Sequence, residues 1–177
     1  MKKIFILLMI TTLAACSTMQ PPRYSISVDN VQALKKFEDA NLMVSEFTQS
    51  TSFNSACRLM GPIEPADGLT FPEFIGKAFN DELKMAGVYS EGGIKISGDI
   101  TKVDFSSSSS GLTNGFWDIA IILKSSNGKS IEASNKYTFK SGFDAITACN
   151  ATADALSPAV QDLIQSAVTN PEFKNLL

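Results

Sequence analysis

Three stretches of alternating apolar and polar residues between positions 94 and 139 constrain the fold most strongly. In each stretch the large apolar side chains fall at every second position, as in a strand that is buried on one side. The apolar members are Ile94, Ile96 and Ile100, then Trp117, Ile119, Ile121 and Leu123, and then Ile131, Ala133, Tyr137 and Phe139. These stretches are predicted to form an antiparallel meander, with a β-bulge where the alternation changes phase at Val103.

Turn signals separate the three predicted strands. Asn127-Gly128 lies between the second and the third, and both residues tolerate the positive φ that a tight hairpin needs. Residues 106–115 are predicted to form a longer, flexible loop between the first and the second. The serine run in this loop has neither a Gly-x-Ser-x-Gly elbow nor a general base beside it, so it is interpreted as a polar loop without catalytic function.

The segment before the meander carries a strong helix signal. Thr70 and Glu73 have the spacing of a capping box, and Pro72 lies in the first turn, where its missing N–H is harmless. Gly87 is placed to end the helix in a left-handed conformation. A helix over residues 71–86 is therefore predicted, and its apolar face is Phe71, Phe74, Ile75, Phe79 and Leu83.

A second amphipathic helix is predicted over residues 143–168, with Pro158 kinking it or dividing it in two. Residues 172–177 are expected to add one helical turn. Near the N-terminus, residues 24–28 and 42–47 are interpreted as strands, residues 52–59 as an extended segment and residues 32–39 as a short helical turn. The acidic pairs Glu38-Asp39 and Asp81-Glu82 are expected on exposed helix faces.

These elements predict one α+β domain over residues 23–177. Its mostly antiparallel sheet is expected to carry two main helices packed on one face. A chain of 177 residues is long enough for one such domain with a real core.

The first sixteen residues have the form of a bacterial lipoprotein signal. Lys2 and Lys3 precede an apolar run over residues 4–13, which is too short to span a membrane. The run ends in Leu13-Ala14-Ala15-Cys16, which matches the lipobox. This resemblance implies that residues 1–15 are removed and that Cys16 receives a diacylglycerol and an N-acyl chain. The alternative is an ordinary secretory signal with a coincidental cysteine.

The residues after Cys16 bear on where the anchored protein lies. Ser17 follows the cysteine, and in the enterobacterial sorting rule serine at this position directs a lipoprotein outward. The rule implies the periplasmic face of the outer membrane, with the inner membrane as the alternative. Residues 16–22 contain Pro21-Pro22 and are predicted to form a short lipidated tether.

Two cysteines remain after lipidation, Cys57 and Cys149. An even pair in an oxidising compartment most often forms a disulfide, so a bridge between them is predicted. Two buried free thiols, or one reactive thiol, are the alternatives. A catalytic thiol is disfavoured because the chain has no histidine to activate it.

Composition narrows the classes of function. The absence of histidine removes the usual general base and the commonest metal ligand, so no catalytic site, metal site or cofactor is predicted. Without Lys2 and Lys3 the chain keeps 13 of its 15 basic residues against 18 acidic ones, a net charge of −5. Such a surface disfavours nucleic acid and polybasic membrane binding.

Most of the twelve phenylalanines fall at core-facing positions of the predicted elements. Phe47, Phe53 and Phe116 do not, and these three are the candidates for an exposed patch that binds a partner. A groove for a lipid or a peptide is the alternative use of so many aromatic residues.

The pattern of the mature region resembles the small outer-membrane lipoproteins of the YajG type. The resemblance is carried by the helix at 74–87, by Asp-Ile-Ala-Ile-Ile at 118–122 with Asn-Gly-Lys at 127–129, and by the C-terminal Glu172-Phe173. It implies an envelope lipoprotein and transfers no active site. The leading hypothesis is a non-enzymatic accessory protein that binds another envelope component. A carrier or sensor of a small apolar ligand or lipid is the alternative, and an enzyme has the least support.

Overall fold

The computed structural model describes residues 19–108 and 114–177. The predicted signal peptide, Cys16 and the middle of the serine-rich loop lie outside the described residues. The helices and strands are α1 (Val28–Leu34), β1 (Leu42–Gln49), α2 (Phe71–Ala86), β2 (Ile94–Ser106), β3 (Asn114–Ser125), β4 (Ser130–Lys140), α3 (Ala145–Asp154) and α4 (Leu156–Val168). Short 3-10 turns occupy Lys35–Phe37, Ala66–Gly68 and Phe173–Leu176.

The four strands form one sheet in the order β1-β2-β3-β4. β2, β3 and β4 are the predicted antiparallel meander, and β1 joins it by pairing parallel to β2. The predicted bulge lies between Ile100 and Lys102. Gly128 takes the positive φ of 87° that the hairpin needs. The prediction of an α+β fold with a mostly antiparallel sheet is confirmed.

One face of this sheet is covered by helices. α2 packs against β1, α4 packs against β4, and the short α1 contacts both helices. The helix-facing side chains of β3 are almost fully buried: Trp117, Ile119, Ile121 and Leu123. The capping box of α2 is present, with Glu73 accepting from the Thr70 N–H at 2.8 Å, and Gly87 ends the helix at φ 80°. The predicted helix over residues 71–86 is therefore confirmed at both ends.

The C-terminal helical region is divided in two, as Pro158 predicts. α3 ends at Asp154, and Pro158 lies in the first turn of α4. Proline has no N–H to donate to the carbonyl four residues earlier, and the break falls where that bond is missing. The final turn at Phe173–Leu176 is also confirmed, with Phe173 and Leu176 buried.

One prediction about the N-terminal part is wrong. Residues 24–28 form no strand, because Val28 begins α1 and Ser27 is its N-cap. Residues 52–59, predicted as an extended segment, contain an isolated bridge between Ala56 and Pro62 and end in a turn. The alternation over residues 24–28 is real, but its polar backbone groups bind side chains of α2 and α4, so no strand neighbour is needed. No helix among the described residues is long and apolar enough to cross a membrane.

Candidate functional site

Cys57 and Cys149 form the predicted disulfide. Their sulfur atoms are 2.05 Å apart, their Cα atoms are 5.8 Å apart, and both residues are buried. The bridge joins the turn after Cys57 to α3 across 92 residues of sequence. It leaves no free thiol at either position, so a reactive cysteine is excluded there.

The three candidate phenylalanines do not share one surface. Phe47 stacks on Phe79 of α2 at 6.0 Å between ring centroids, and its ring lies over Gly98, where a Cβ atom would clash. Phe53 contacts Trp117 and Phe71 at 6.2 Å and 5.1 Å. Both rings therefore pack on the helix side of the sheet.

Phe116 points the other way. It is the neighbour of Trp117 on β3, and successive strand residues face opposite sides. Its ring is half-exposed and lies under the Lys136 ammonium group, 4.2 Å from the ring centroid. Among the three candidates, Phe116 alone belongs to the face that the helices leave uncovered.

That uncovered face, called the open face below, has a narrow apolar row along β3. The row consists of Phe116, Ala120 and Ile122, all half-exposed. Asp118 lies between Phe116 and Ala120 on the same face and forms an ion pair of 2.7 Å with Lys102 of β2. Apolar side chains interrupted by an ion pair give this face the mixed polarity of an ordinary protein interface.

Glu82 lies where no acid was expected. It was predicted on an exposed helix face, but it is 0% exposed. The helical spacing indicates that position 82 is buried, since it follows Phe79 by three residues and precedes Ala86 by four. An acidic residue in the middle of a buried stripe indicates that donors must surround it.

The donors come from the segment that precedes and begins α1. One carboxylate oxygen of Glu82 accepts from Tyr24 Oη at 2.5 Å, from the Ser27 N–H at 2.8 Å and from Asn30 Nδ2 at 3.4 Å. The other oxygen and Asn30 Oδ1 have no partner. Burial, together with the hydrogen bond to Glu82, raises the pKa of Tyr24. These four residues are called the N-terminal clamp.

Further contacts hold the same segment on the outside of the domain. Arg23 donates to both carboxylate oxygens of Asp67 at 2.8–3.0 Å, and Gln161 of α4 donates to the Ser25 carbonyl at 2.6 Å. These contacts fasten the first described segment of the chain to α2 and α4.

The cavities found in the part of the chain that the structure describes are open grooves. One of about 730 Å³ is lined by Lys36, Phe37, Asn41, Gly93, Ser126 and Leu177. A second of about 570 Å³ lies between α1 and α4 and is lined mainly by polar residues. No group of three or more His, Cys, Asp or Glu residues able to hold a metal ion occurs among residues 19–108 and 114–177.

Comparison with known proteins gives little beyond this geometry. No family model matches the chain, and no curated protein matches it. Among solved structures, the chain is similar to the crystal structure of protein XCC0632 from Xanthomonas campestris, assigned to the family DUF330. The TM-score is 0.47 at 11% sequence identity, and the match covers 78% of this chain and 89% of that chain. The resemblance to YajG-type lipoproteins stays a prediction.

Proposed function

We propose that this chain is a lipid-anchored accessory protein of the bacterial envelope, held by Cys16 on the periplasmic face of the outer membrane. In this proposal it has no catalytic activity and binds another envelope component through the open face of its sheet. The observation that carries the proposal is the uncovered side of β2, β3 and β4. A sheet in a small domain usually buries one face only, and the other is available to a partner.

The composition of the open face supports this role. Phe116, Ala120 and Ile122 are the apolar side chains that β3 presents on this face, and aromatic residues are enriched in binding interfaces. The ion pair of Asp118, between Phe116 and Ala120, with Lys102 provides directional polar groups. Apolar anchors within a polar rim favour a protein partner.

The disulfide supports the exported location. Such bridges persist in oxidising compartments and are rare in the cytosol. The N-terminal clamp fixes the domain to the chain close to the predicted tether, because Tyr24 is only eight positions after Cys16. A domain held in this way stays near the membrane that carries the anchor.

Core packing favours the binding role over a carrier of small apolar ligands. A carrier was expected to hold its ligand between the sheet and the helices. Trp117, Ile119 and Leu123 fill that space with almost no exposed surface. The grooves on the described part of the chain lie at the surface, whereas sites for small apolar ligands bury most of the ligand.

Photocrosslinking in the native host tests the proposal. A photoreactive residue at Ser134, which is exposed and pairs with Ala120 on the open face, should give a discrete adduct with one envelope protein. The matched control is the same residue at Met85, which is 58% exposed on α2. Replacing Ile122 with Asp should weaken the Ser134 adduct. Equal adducts at Ser134 and Met85, or none at Ser134, would contradict binding through the open face.

A further inference from the structure

The turn after Cys57 presents an apolar side chain to solvent. The Met60 N–H donates to the Cys57 carbonyl at 3.0 Å, and Arg58 takes a left-handed φ of 51°. Leu59 lies at the tip of this turn and is fully exposed. Tight turns favour Gly, Asn, Asp and Ser, so a leucine at this place is not explained by the turn itself.

Two more large apolar residues are exposed beside this turn. Phe143, which precedes α3, is 78% exposed, and Ile146 in its first turn is 50% exposed. The Arg58 guanidinium donates to the Phe143 carbonyl at 3.1 Å, which brings the turn and the start of α3 together. We call Leu59, Phe143 and Ile146 the apolar tip.

The apolar tip is braced by the rest of the domain. The disulfide joins Cys57, two residues before Leu59, to Cys149, which is one helical turn after Ile146. Arg58 also donates to Ser107 Oγ at 3.0 Å, at the end of β2. Because the backbone under these side chains is already held, no loop has to be ordered on binding, which favours association.

The start of the described chain lies beside the same turn. The Met19 methyl group is 3.6 Å from the position that a Cβ atom of Gly61 would take, and Met19 with Met60 lines a shallow groove of about 310 Å³. Cys16 precedes Met19 by three residues. Three residues span at most about 11 Å. The backbone of Cys16 therefore lies within about 11 Å of Met19, which itself lies beside the turn.

We propose that the apolar tip inserts into the interfacial layer of the membrane that holds the lipid on Cys16. This inference rests on the lipid anchor of the proposed function. The short reach from Cys16 keeps the bilayer at a high effective concentration near Leu59. Apolar side chains gain free energy by burial at the headgroup boundary, and such patches on soluble surfaces mark binding sites.

The two charged groups next to the tip, Arg58 and Asp144, make hydrogen bonds within the domain. Arg58 is bound to Ser107 and to the Phe143 carbonyl. The Asp144 carboxylate accepts from the Thr147 N–H at 2.9 Å and caps α3, and these contacts hold its pKa below the usual range. Both charges are therefore partly satisfied within the domain.

Depth-dependent quenching tests the proposal on the full lipidated chain. The chain would be reconstituted into vesicles of phosphatidylethanolamine and phosphatidylglycerol, with and without brominated acyl chains. The tryptophan of Leu59→Trp adds fluorescence emission to that of Trp117. Brominated vesicles should quench about half of this additional emission, as expected for a side chain at the acyl boundary. Phe143→Trp should behave in the same way. Trp117 is 0% exposed and supplies a constant background, and Met85→Trp is the matched control that should not be quenched.

The outcomes separate the two proposals. One outcome is a chain that carries the Cys16 lipid and floats with the vesicles while neither Leu59→Trp nor Phe143→Trp is quenched. That result would overturn insertion of the tip and leave the lipid anchor intact. Emission changes that depend on protein concentration, and not on bromine, would assign the tip to self-association and also overturn it. A chain that carries no lipid and does not float with vesicles would overturn both proposals.

Discussion

The hydroxyl of Tyr24 donates a 2.5 Å hydrogen bond to Glu82, a carboxylate with no exposed surface. The Ser27 N–H shares the same acceptor oxygen. Because Tyr24 and Glu82 are 58 residues apart, this contact fastens the first segment of the domain to α2. Stability of the N-terminal segment should therefore depend in part on this buried acceptor.

Glu82→Ala should destabilise the domain strongly. It leaves the part-buried Tyr24 hydroxyl and Ser27 N–H without their shared acceptor, which costs about 1–3 kcal/mol. Glu82→Gln keeps an acceptor oxygen and removes the buried charge, so it should cost less than about 1 kcal/mol. Urea unfolding at neutral pH measures both variants. Equal losses for the two would show that the charge, and not the acceptor, stabilises the segment.

Stability should fall at alkaline pH in a manner that depends on Tyr24. The pKa of Tyr24 is raised in the folded chain, so the folded chain retains the phenolic proton. An unfolded tyrosine loses this proton at about pH 10. The stabilisation is fully present below that pH and is lost as the pH rises above it. Unfolding free energies measured from pH 8 to pH 11 should therefore decline less steeply in Tyr24→Phe. Parallel declines in the two proteins would argue against this assignment.

Reduction of the disulfide should lower the unfolding free energy by about 4 kcal/mol, because a loop of 92 residues is released in the unfolded chain. The Cys57→Ala, Cys149→Ala double variant should show a similar loss and should not respond to reductant. Alkylation of the denatured chain without reductant should leave both cysteines unlabelled. Labelling of both would refute the bridge.

Phe47 and Gly98 should be coupled in stability. The Phe47 ring occupies the space of a Cβ atom at Gly98, so Gly98→Ala must displace it at about 1–3 kcal/mol. In a Phe47→Ala background the same change should cost about 1 kcal/mol less. Gly92→Ala, where a Cβ atom meets open space, is the control and should stay within about 0.5 kcal/mol. Additive effects of Phe47→Ala and Gly98→Ala would argue that the ring moves freely.

Local patterns explain what could be predicted from the sequence. The capping box and Gly87 mark both ends of α2, and the Asn127-Gly128 turn marks the hairpin of the meander. These signals lie within a few residues of the structure that they specify. The disulfide was also predictable, because the interpretation of Cys16 as a lipidation site leaves Cys57 and Cys149 as an even pair.

Contacts between distant segments explain what could not be predicted. Residues 24–28 alternate like a strand, yet the Ser25 carbonyl binds Gln161, which is 136 residues away. The parallel pairing of β1 with β2 depends on the path of α2 between them. Glu82 lies at a core-facing position of the helical spacing, but acidic residues are rarely buried without partners, and its partners come from the distant segment around Tyr24. The open face could not be predicted from the sequence, because it depends on which side of the sheet the helices cover.

The intact mass of the chain purified from the membranes of its native host tests the central claim most directly. We expect a mature chain that begins at Cys16, carries the added mass of a diacylglycerol and one N-linked acyl chain, and fractionates with the outer membrane. A soluble chain with an unmodified cysteine, or a chain that retains residues 1–15, would contradict a lipid-anchored envelope protein.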